Sequence, residues 1–369
     1  MPSAYPEFRT ERCTRYRFRY SECRRCLDAC PHEAIALDEK GAKLDEARCQ
    51  NCALCVTACL TGAWAAEAFK PIVILHQAVK QDRFSIACRP SEQTADVMVP
   101  CLGAIDGGMI AYLGKRRIPF ALRGSAHCPS CAHGARGSAQ LATNLDAAEQ
   151  LRAASGAADW STVEQVEGEA RAEHSKKKLH AGRRQLFRRL IGRGADAISE
   201  GMRQGAAAPS KQVRIEDKAI RAGRYANTER RELLQIVCER KDGQAFTMTW
   251  HEALPLMQLR LQSGCTTCEA CFRACPTGAI QIVENPGDWA LTFNTDRCVG
   301  CAVCLEVCQP RVLDAEATFD GRPEQPPRVL LSLVKQRCSR CDRFFVSPEP
   351  QETCKVCRDD EDAFSMIFG

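Results

Sequence analysis

Two stretches decide the fold: CTTCEACFRACP at residues 265–276 and CVGCAVCLEVC at residues 298–308. Each contains the spacing C-x2-C-x2-C-x3-C, and Pro276 directly follows the last cysteine of the first stretch. Between them, AIQIV, ENPGD and WALTF have the pattern of a strand, a Pro-Gly turn and a second strand. Zinc sites rarely use three cysteines at this close spacing, whereas iron–sulfur clusters do. The pattern therefore predicts two iron–sulfur clusters joined by a hairpin.

The same pattern occurs near the N-terminus with one departure. CQNCALCVTAC at residues 49–59 keeps the spacing unchanged, and the preceding segment 31–48 supplies a hairpin. In the earlier run, Tyr20 stands where a cysteine is expected before Cys23. We predict that Cys13, further back in the chain, loops in as the missing ligand, because an all-cysteine [4Fe–4S] cluster needs four thiolates. The alternative is a three-iron or site-differentiated cluster.

These runs resemble the bacterial two-cluster ferredoxins over about residues 10–68 and 260–314. In that family three cysteines of each run bind one [4Fe–4S] cluster, and the fourth crosses to the other cluster. The resemblance implies four [4Fe–4S] clusters, whose ligand sets we call sites 1 to 4. Site 1 is Cys13, Cys23, Cys26 and Cys59; site 2 is Cys30, Cys49, Cys52 and Cys55; site 3 is Cys265, Cys268, Cys271 and Cys308; site 4 is Cys275, Cys298, Cys301 and Cys304.

Residues 70–158 follow a different pattern. Short apolar runs (PIVIL, FSIAC, DVMVPC and IPFALRG) suit buried strands, and helix-like stretches such as GGMIAYLGKRR separate them. This alternation predicts a small, mostly parallel sheet. Ligands of such sheets bind beyond the carboxyl ends of the strands, where four cysteines occur. We call them the middle site: Cys88, Cys101, Cys128 and Cys131.

The middle stretch resembles the small iron–sulfur (delta) subunit of methyl-viologen-reducing hydrogenase. The resemblance depends on VPCLGAID, on the order cysteine–strand–cysteine, and on HCPSC at residues 127–131. It implies a [2Fe–2S] or other cluster that passes electrons between a flavin or catalytic subunit and the [4Fe–4S] clusters. Two alternatives stay open: a thioredoxin-like dithiol at Cys128 and Cys131, and a structural zinc. The dithiol interpretation gives Cys88 and Cys101 no role.

The C-terminal segment has the form of a zinc ribbon. Its spacing, C-x2-C-x12-C-x2-C, offers two pairs of thiolates for one tetrahedral metal ion, which we predict to be zinc, with a rubredoxin-type iron as the alternative. This tail site consists of Cys338, Cys341, Cys354 and Cys357. Cys238 is the remaining cysteine of the 25, and its apolar context predicts a buried thiol.

Charge and composition limit the function classes. The net charge of +5 is too small to require a nucleic-acid partner. Seven arginines between Arg9 and Arg25, and a basic amphipathic helix predicted within residues 175–195, favour acidic partner surfaces, with peripheral membrane contact as an alternative. RYRFRY at residues 15–20 alternates like a strand. Neither a signal peptide nor a transmembrane segment is predicted, so we expect thiolates in a reducing cytoplasm.

The sequence thus predicts an α+β protein that acts as an electron-transfer subunit. It would relay single electrons within a larger cytoplasmic oxidoreductase complex, beside other redox subunits, without being an enzyme on its own. The alternatives are a thiol–disulfide or heterodisulfide-type reductase acting at Cys128 and Cys131, and a docking or assembly protein for a redox enzyme. The predicted parts are a ferredoxin-like module (10–68), an α/β iron–sulfur domain (70–158), a basic linker (159–230), a second ferredoxin-like module (231–314) and a zinc ribbon (330–369).

Overall fold

The structure is a computed structural model, and it describes residues 5–157, 159–166, 227–240 and 242–360. The basic helix predicted within 175–195 lies outside the described residues. The helices are α1 (Thr14–Arg17), α2 (Arg25–Ala29), α3 (Leu54–Ala58), α4 (Pro71–Ala78), α5 (Gly107–Lys115), α6 (Gly134–Ser155), α7 (Glu229–Cys238), α8 (Ala270–Ala274) and α9 (Val303–Glu306). The strands are β1 (Glu7–Phe8), β2 (Ile35–Asp38), β3 (Gly41–Leu44), β4 (Trp64–Ala65), β5 (Phe84–Cys88), β6 (Val97–Val99), β7 (Phe120–Arg123), β8 (Val163–Val166), β9 (Thr247–Thr249), β10 (Leu259–Leu261), β11 (Ile280–Asn285), β12 (Asp288–Phe293), β13 (Leu313–Ala315), β14 (Thr318–Asp320), β15 (Arg328–Arg337) and β16 (Phe344–Ser347).

Both predicted hairpins are present between the paired cysteine runs. Strands β2 and β3 pair antiparallel in the first module, and β11 and β12 do so in the second. Gly287 follows Pro286 at the second turn with φ of 88°, a value that glycine adopts without steric penalty. Strand β12 also pairs with β15, and β15 with β16. The C-terminal segment is therefore an extension of the second module's sheet.

The middle domain contains the predicted parallel sheet. Its strand order is β6-β5-β7-β8, and every neighbouring pair is parallel. The prediction that PIVIL forms a strand was wrong, because these residues begin α4. Pro71 occupies the first turn, where its missing N–H leaves no hydrogen bond unmade. Ile74, Leu75 and Ala78 then form one buried face. Their spacing is that of one side of a helix.

The strand predicted for residues 15–20 was also wrong. Residues Thr14–Arg17 form α1 instead. Both arginines of this helix donate to main-chain carbonyls: Arg15 to Ser21 at 2.6 Å, and Arg17 to Arg273 at 2.8 Å. Tertiary hydrogen bonds therefore determine the conformation of this segment. Its alternation of arginine and aromatic residues does not produce a strand with two different faces.

Helix α7 lies where the three domains meet. Leu234 and Cys238 are fully buried in the same core as the middle-domain sheet, as predicted for the Cys238 thiol. Lys115 Nζ donates to the carbonyls of Ile236 and Val237 at 2.9 and 2.8 Å, which satisfies the last turn of α7. The packing thus joins α7 to the middle domain, while the domain boundaries given above stay predictions.

Candidate metal centres

The three cysteine loops with complete spacing share one backbone geometry. In each, the residues on both sides of the second cysteine have φ between 51° and 64°. This left-handed conformation turns main-chain N–H groups toward the first cysteine: the N–H groups of Asn51 and Gly300 each donate to its sulfur at 3.4 Å. The left-handed pairs are Asn51 and Ala53, Thr267 and Glu269, and Gly300 and Ala302.

The loop before Cys23 lacks this geometry. Arg24, which follows Cys23, has φ of −127°, and Tyr20 is 70% exposed. Tyr20 therefore does not replace a ligand.

Cys13 reaches site 1 through an antiparallel pair outside the loop. Strand β1 pairs with β4, and the N–H of Arg9 donates to the carbonyl of Ala63 at 2.7 Å. A single 3-10 turn, Thr10–Arg12, then leads to Cys13. One cavity is lined by all four predicted ligands of site 1, namely Cys13, Cys23, Cys26 and Cys59.

The thiols of sites 1 and 2 are largely desolvated. Burial raises the pKa of Cys26 to about 12, and the nearby Cys59 and Cys23 add to the rise. Burial likewise raises the pKa of Cys52 to about 11, and the nearby Cys30 and Cys49 add to the rise. Such thiols are neutral at pH 7 unless a metal displaces the proton. Both sets therefore suit metal binding better than free thiolate chemistry.

Sites 3 and 4 are brought together in the second module. A cavity is lined by Cys265, Cys268, Cys271 and Cys308, the complete predicted set of site 3. In site 4, burial raises the pKa of Cys304 well above its ordinary value, and its charged neighbours include Cys301, Cys298 and Cys275. The crossing of the fourth cysteine, implied by the ferredoxin resemblance, is thus compatible with the fold.

The distances between ligand atoms distinguish sites that can hold a single metal ion from sites that suit a larger cluster. The four thiols of the tail site lie within 4.8 Å of one another, and the sulfurs of Cys341 and Cys354 are 3.8 Å apart. A tetrahedral zinc with sulfur at about 2.3 Å spans about 3.8 Å between ligands. The backbone N–H of Cys354 donates to Cys338 and lowers the pKa of that thiol to about 6. The tail site therefore fits one tetrahedral metal ion.

The other cysteine sets are wider. Among the described residues, only the tail site and the group His32, Cys52 and His133 bring three candidate ligands within 4.8 Å of one another. Sites 1 to 4 and the middle site are therefore too open for one tetrahedral ion in this conformation. Sites 1 to 4 have the ligand chemistry of [4Fe–4S] clusters, which the four thiolates of each set would hold.

The middle site lies at the carboxyl edge of the parallel sheet, as predicted. Cys88 ends β5, Cys101 follows β6, and Cys128 lies in the 3-10 turn Ser125–Ser130 after β7. Burial raises the pKa of Cys101 to about 12, and the nearby Cys52, Cys88 and Cys128 add to the rise. The Cys131 sulfur accepts the backbone N–H of His133 at 3.4 Å. The fold thus brings three cysteines from three loops toward one another.

The sites follow one another in space in an order that differs from their order in the chain. Cysteines of different sites lie close together at four junctions. These junctions give the series middle site, site 2, site 1, site 4, site 3. Cys101 and Cys52 belong to one packed cluster, as do Cys55 and Cys26, and Cys304 and Cys271, while Cys301 lines the cavity of site 1 together with Cys23.

Sequence reasoning missed the buried arginines beside the cysteine loops. Arg231 is fully buried and donates to the carbonyls of Cys298 and Thr295 at 2.9 Å each. Arg17 donates to three consecutive carbonyls that end with Cys275. The local sequence does not indicate that Arg231 is more deeply buried than its neighbour Arg230, because burial depends on how α7 packs. A buried cation beside a cluster favours the more negative, reduced state.

Comparison with known proteins identifies the two cysteine-rich modules. Residues 21–63 and residues 261–313 each match a 4Fe-4S dicluster domain. Over 62 residues the chain is 37% identical to the pyruvate synthase subunit PorD of Methanocaldococcus jannaschii, covering 17% of this chain and 65% of that protein. Over 63 residues it is 36% identical to the polyferredoxin protein MvhB of Methanothermobacter marburgensis, covering 15% of each. The chain therefore spans less than two thirds of either relative.

These matches confirm the ferredoxin resemblance. The two matched regions imply four [4Fe–4S] clusters, and over 62 and 63 residues the chain is similar to one protein named as a pyruvate synthase subunit and to another named as a polyferredoxin. The resemblance of the middle domain to a hydrogenase subunit stays a prediction, as do the individual ligand assignments. Among the described residues, no helix is both long and apolar enough to cross a membrane.

Proposed function

We propose that this chain is the internal electron relay of a larger cytoplasmic oxidoreductase complex. The observation that carries the proposal is the spatial series of sites, in which a pair of neighbouring cysteines joins each site to the next. An iron–sulfur cluster, when bound, accepts and donates one electron at a time. The series therefore supports transfer between the middle site at one end and site 3 at the other.

Residues of the chain shield the inner sites of this series from water and leave its end sites accessible. Phe8, Leu60 and Trp64 line the cavity of site 1, and Cys298 and Cys304 of site 4 are buried. At the far end, Cys268 of site 3 is exposed. A redox partner can therefore approach site 3 directly, whereas the interior sites are shielded from water and from unwanted oxidants.

The relatives support a role as one subunit among several. One is named as a subunit of pyruvate synthase and the other as a polyferredoxin. By analogy, the partners of this chain are redox protein subunits, and its arginine-rich N-terminal segment favours partners with acidic docking surfaces. The proposed cofactors are four [4Fe–4S] clusters, a [2Fe–2S] or other cluster at the middle site, and zinc in the tail.

Metal analysis of the full chain, purified without oxygen, tests this proposal. We expect about 18 to 20 irons with matching acid-labile sulfide, and about one zinc per chain. In pulsed EPR, reduced clusters of neighbouring sites should show magnetic coupling, and Cys301→Ser should remove the coupling between sites 1 and 4. About 16 irons would refute the middle-site cluster, and a few irons with five or six zincs would refute the relay altogether.

A second candidate function uses the middle site as a thiol–disulfide centre. Cys128 and Cys131 are half-exposed, whereas Cys88 and Cys101 are buried, so only the first pair is open to a disulfide substrate. Cys128→Ser separates the two functions. Loss of one spectroscopic centre supports a cluster, and loss of disulfide turnover with all clusters intact supports a reductase.

A further inference from the structure

Two histidines lie at the junction between the middle site and site 2. His32 comes two residues after Cys30 of site 2, and His133 two residues after Cys131 of the middle site. Their ligating nitrogens and the Cys52 sulfur all lie within 4.8 Å of one another. The two rings meet edge to face, with centroids 5.3 Å apart and an interplanar angle of 77°. One histidine from each domain therefore points at the same cysteine.

Each of these rings has a buried nitrogen that the described residues do not satisfy. His32 Nε2 and His133 Nδ1 have no hydrogen-bond partner among the described residues. A neutral imidazole offers one N–H donor and one acceptor nitrogen, and buried polar atoms in native proteins are nearly always paired. These nitrogens therefore point to a partner that the protein atoms alone do not provide.

The middle site and site 2 meet beside the histidine pair. Cys52 and Cys101 belong to one apolar cluster with Ala29, Leu54 and Ala58. A β-carbon on Gly137 would lie 3.1 Å from the Cys101 sulfur and 3.4 Å from Cβ of His133, so Gly137 leaves room for these groups to approach. The Cys52 sulfur lies within 4.8 Å of a nitrogen of each ring and is therefore positioned as an acceptor for the imidazole N–H groups.

We propose that His32 and His133 are positioning residues that donate N–H hydrogen bonds to the sulfur atoms of site 2 and thereby set the reduction potential of its cluster. This inference rests on the proposed function, because it assumes that site 2 holds a cluster. Hydrogen bonds to sulfur stabilise the reduced, more negative state and raise the potential. The pair would make site 2 a better electron acceptor from the middle site.

A single zinc ion held by His32, His133 and Cys52 is the competing interpretation of the same geometry. It would remove Cys52 from site 2 and leave that site with three thiolates.

EPR-monitored redox titration of the full chain, purified without oxygen, tests the proposal. His133→Leu should lower the midpoint potential of the site 2 cluster and leave the other potentials and the iron content unchanged. His133→Gln keeps an N–H donor and should restore part of the shift. His76→Gln is the matched control, because it makes the same change at a histidine on α4, outside every cysteine loop. The site 2 signal is assigned by its change in Cys49→Ser.

Each other outcome overturns the inference in a distinguishable way. Unchanged potentials with full iron content in His133→Leu and His32→Leu would exclude hydrogen bonding to the cluster. Loss of about four irons in these variants would make a histidine a cluster ligand. A second zinc in the wild-type chain that both variants lose would establish the single-ion site. A wild-type chain without iron would instead refute the proposed function itself.

Discussion

The two ferredoxin modules bring equivalent sets of ligand cysteines together in different ways. In the second module both loops supply their own cysteines, and both contain the left-handed pair around the second cysteine. In the first module only the loop 49–59 does so, and the other site gathers Cys13 from outside the loop through the β1–β4 pair. A ligand set can thus be completed by tertiary structure where local sequence falls short. The first module depends on its N-terminal segment, whereas the second is locally complete.

The largest expected effect comes from removing the equivalent ligand in each module. Cys265→Ser should lose about four irons, because site 3 includes the exposed Cys268 and a weakened cluster there is open to oxygen. Cys13→Ser should lose only about one iron, because Cys23, Cys26 and Cys59 are half-buried and their three thiolates can hold a three-iron cluster. Iron analysis and EPR of the oxidised protein measure both changes.

The control for this pair is Cys238→Ala, which removes a buried thiol outside every proposed site and should leave iron unchanged. Tyr20→Cys in the Cys13→Ser background sharpens the comparison further. We expect no rescue, because residue 20 is exposed and its loop lacks the left-handed pair. Full recovery of iron would show that spacing alone is sufficient.

The next effect concerns the two buried arginines. Arg231→Met leaves the carbonyls of Cys298 and Thr295 without their donor and Asp296 without its 3.8 Å partner. We expect about 3–5 kcal/mol less protection of the second module against local opening. Arg17→Met, which removes donors to the carbonyls of residues 273–275, should reduce protection by about 2 kcal/mol.

Amide hydrogen exchange of the loops 273–275 and 294–300 measures both effects. Arg337→Met is the matched control, because Arg337 forms an exposed pair with Asp342 and such pairs contribute about 0–1 kcal/mol. If Arg231→Met exchanged no faster than this control, the buried arginine would not be a support of site 4.

A smaller difference in stability is expected between substitutions of the two hairpin glycines, Gly41 and Gly287. A β-carbon on Gly41 would lie 2.8 Å from Phe8 Cζ and 3.4 Å from the Cys13 sulfur, whereas one on Gly287 would meet nothing within 4 Å. Both have positive φ, at 120° and 88°. We expect Gly41→Ala to destabilise by about 2–3 kcal/mol and to loosen site 1, and Gly287→Ala by about 1 kcal/mol through backbone strain alone. Thermal unfolding followed at the cluster absorbance compares them; equal midpoints would contradict the close approach of Phe8.

The smallest effect on iron is expected in the tail. Within the described parts of the chain, the first module has no counterpart of the β15–β16 extension, at the end of which the tail site lies. Cys341→Ser should release about one zinc and no iron, because the tail thiols are separate from sites 3 and 4. A zinc indicator and iron analysis on the same sample measure this. If Cys341→Ser instead lost iron from the second module, the β15–β16 extension would be shown to stabilise the clusters of that module.

Much of this architecture was predictable because cysteine spacing and hairpin signals are local. The hairpins β2–β3 and β11–β12 and the parallel sheet followed from short patterns of apolar and turn residues. The helix at Pro71 was missed because PIVIL alone does not distinguish a buried strand from the start of a buried helix. The placement of Arg231, and the meeting of His32 with His133, depend on packing between distant segments. No short sequence window contains that information.

The junction of Cys23 with Cys301 has a consequence for biosynthesis. A ribosome releases the first module and the middle domain long before residue 301, and domains generally fold as they emerge. The nascent chain can therefore hold the middle site and sites 2 and 1 while it still lacks the sites through which electrons would leave. In the proposed relay, completion of the second module, with Arg17 bound to the carbonyls of residues 273–275, would make the electron path continuous. An unfinished chain would lack the site 3 surface through which electrons would leave.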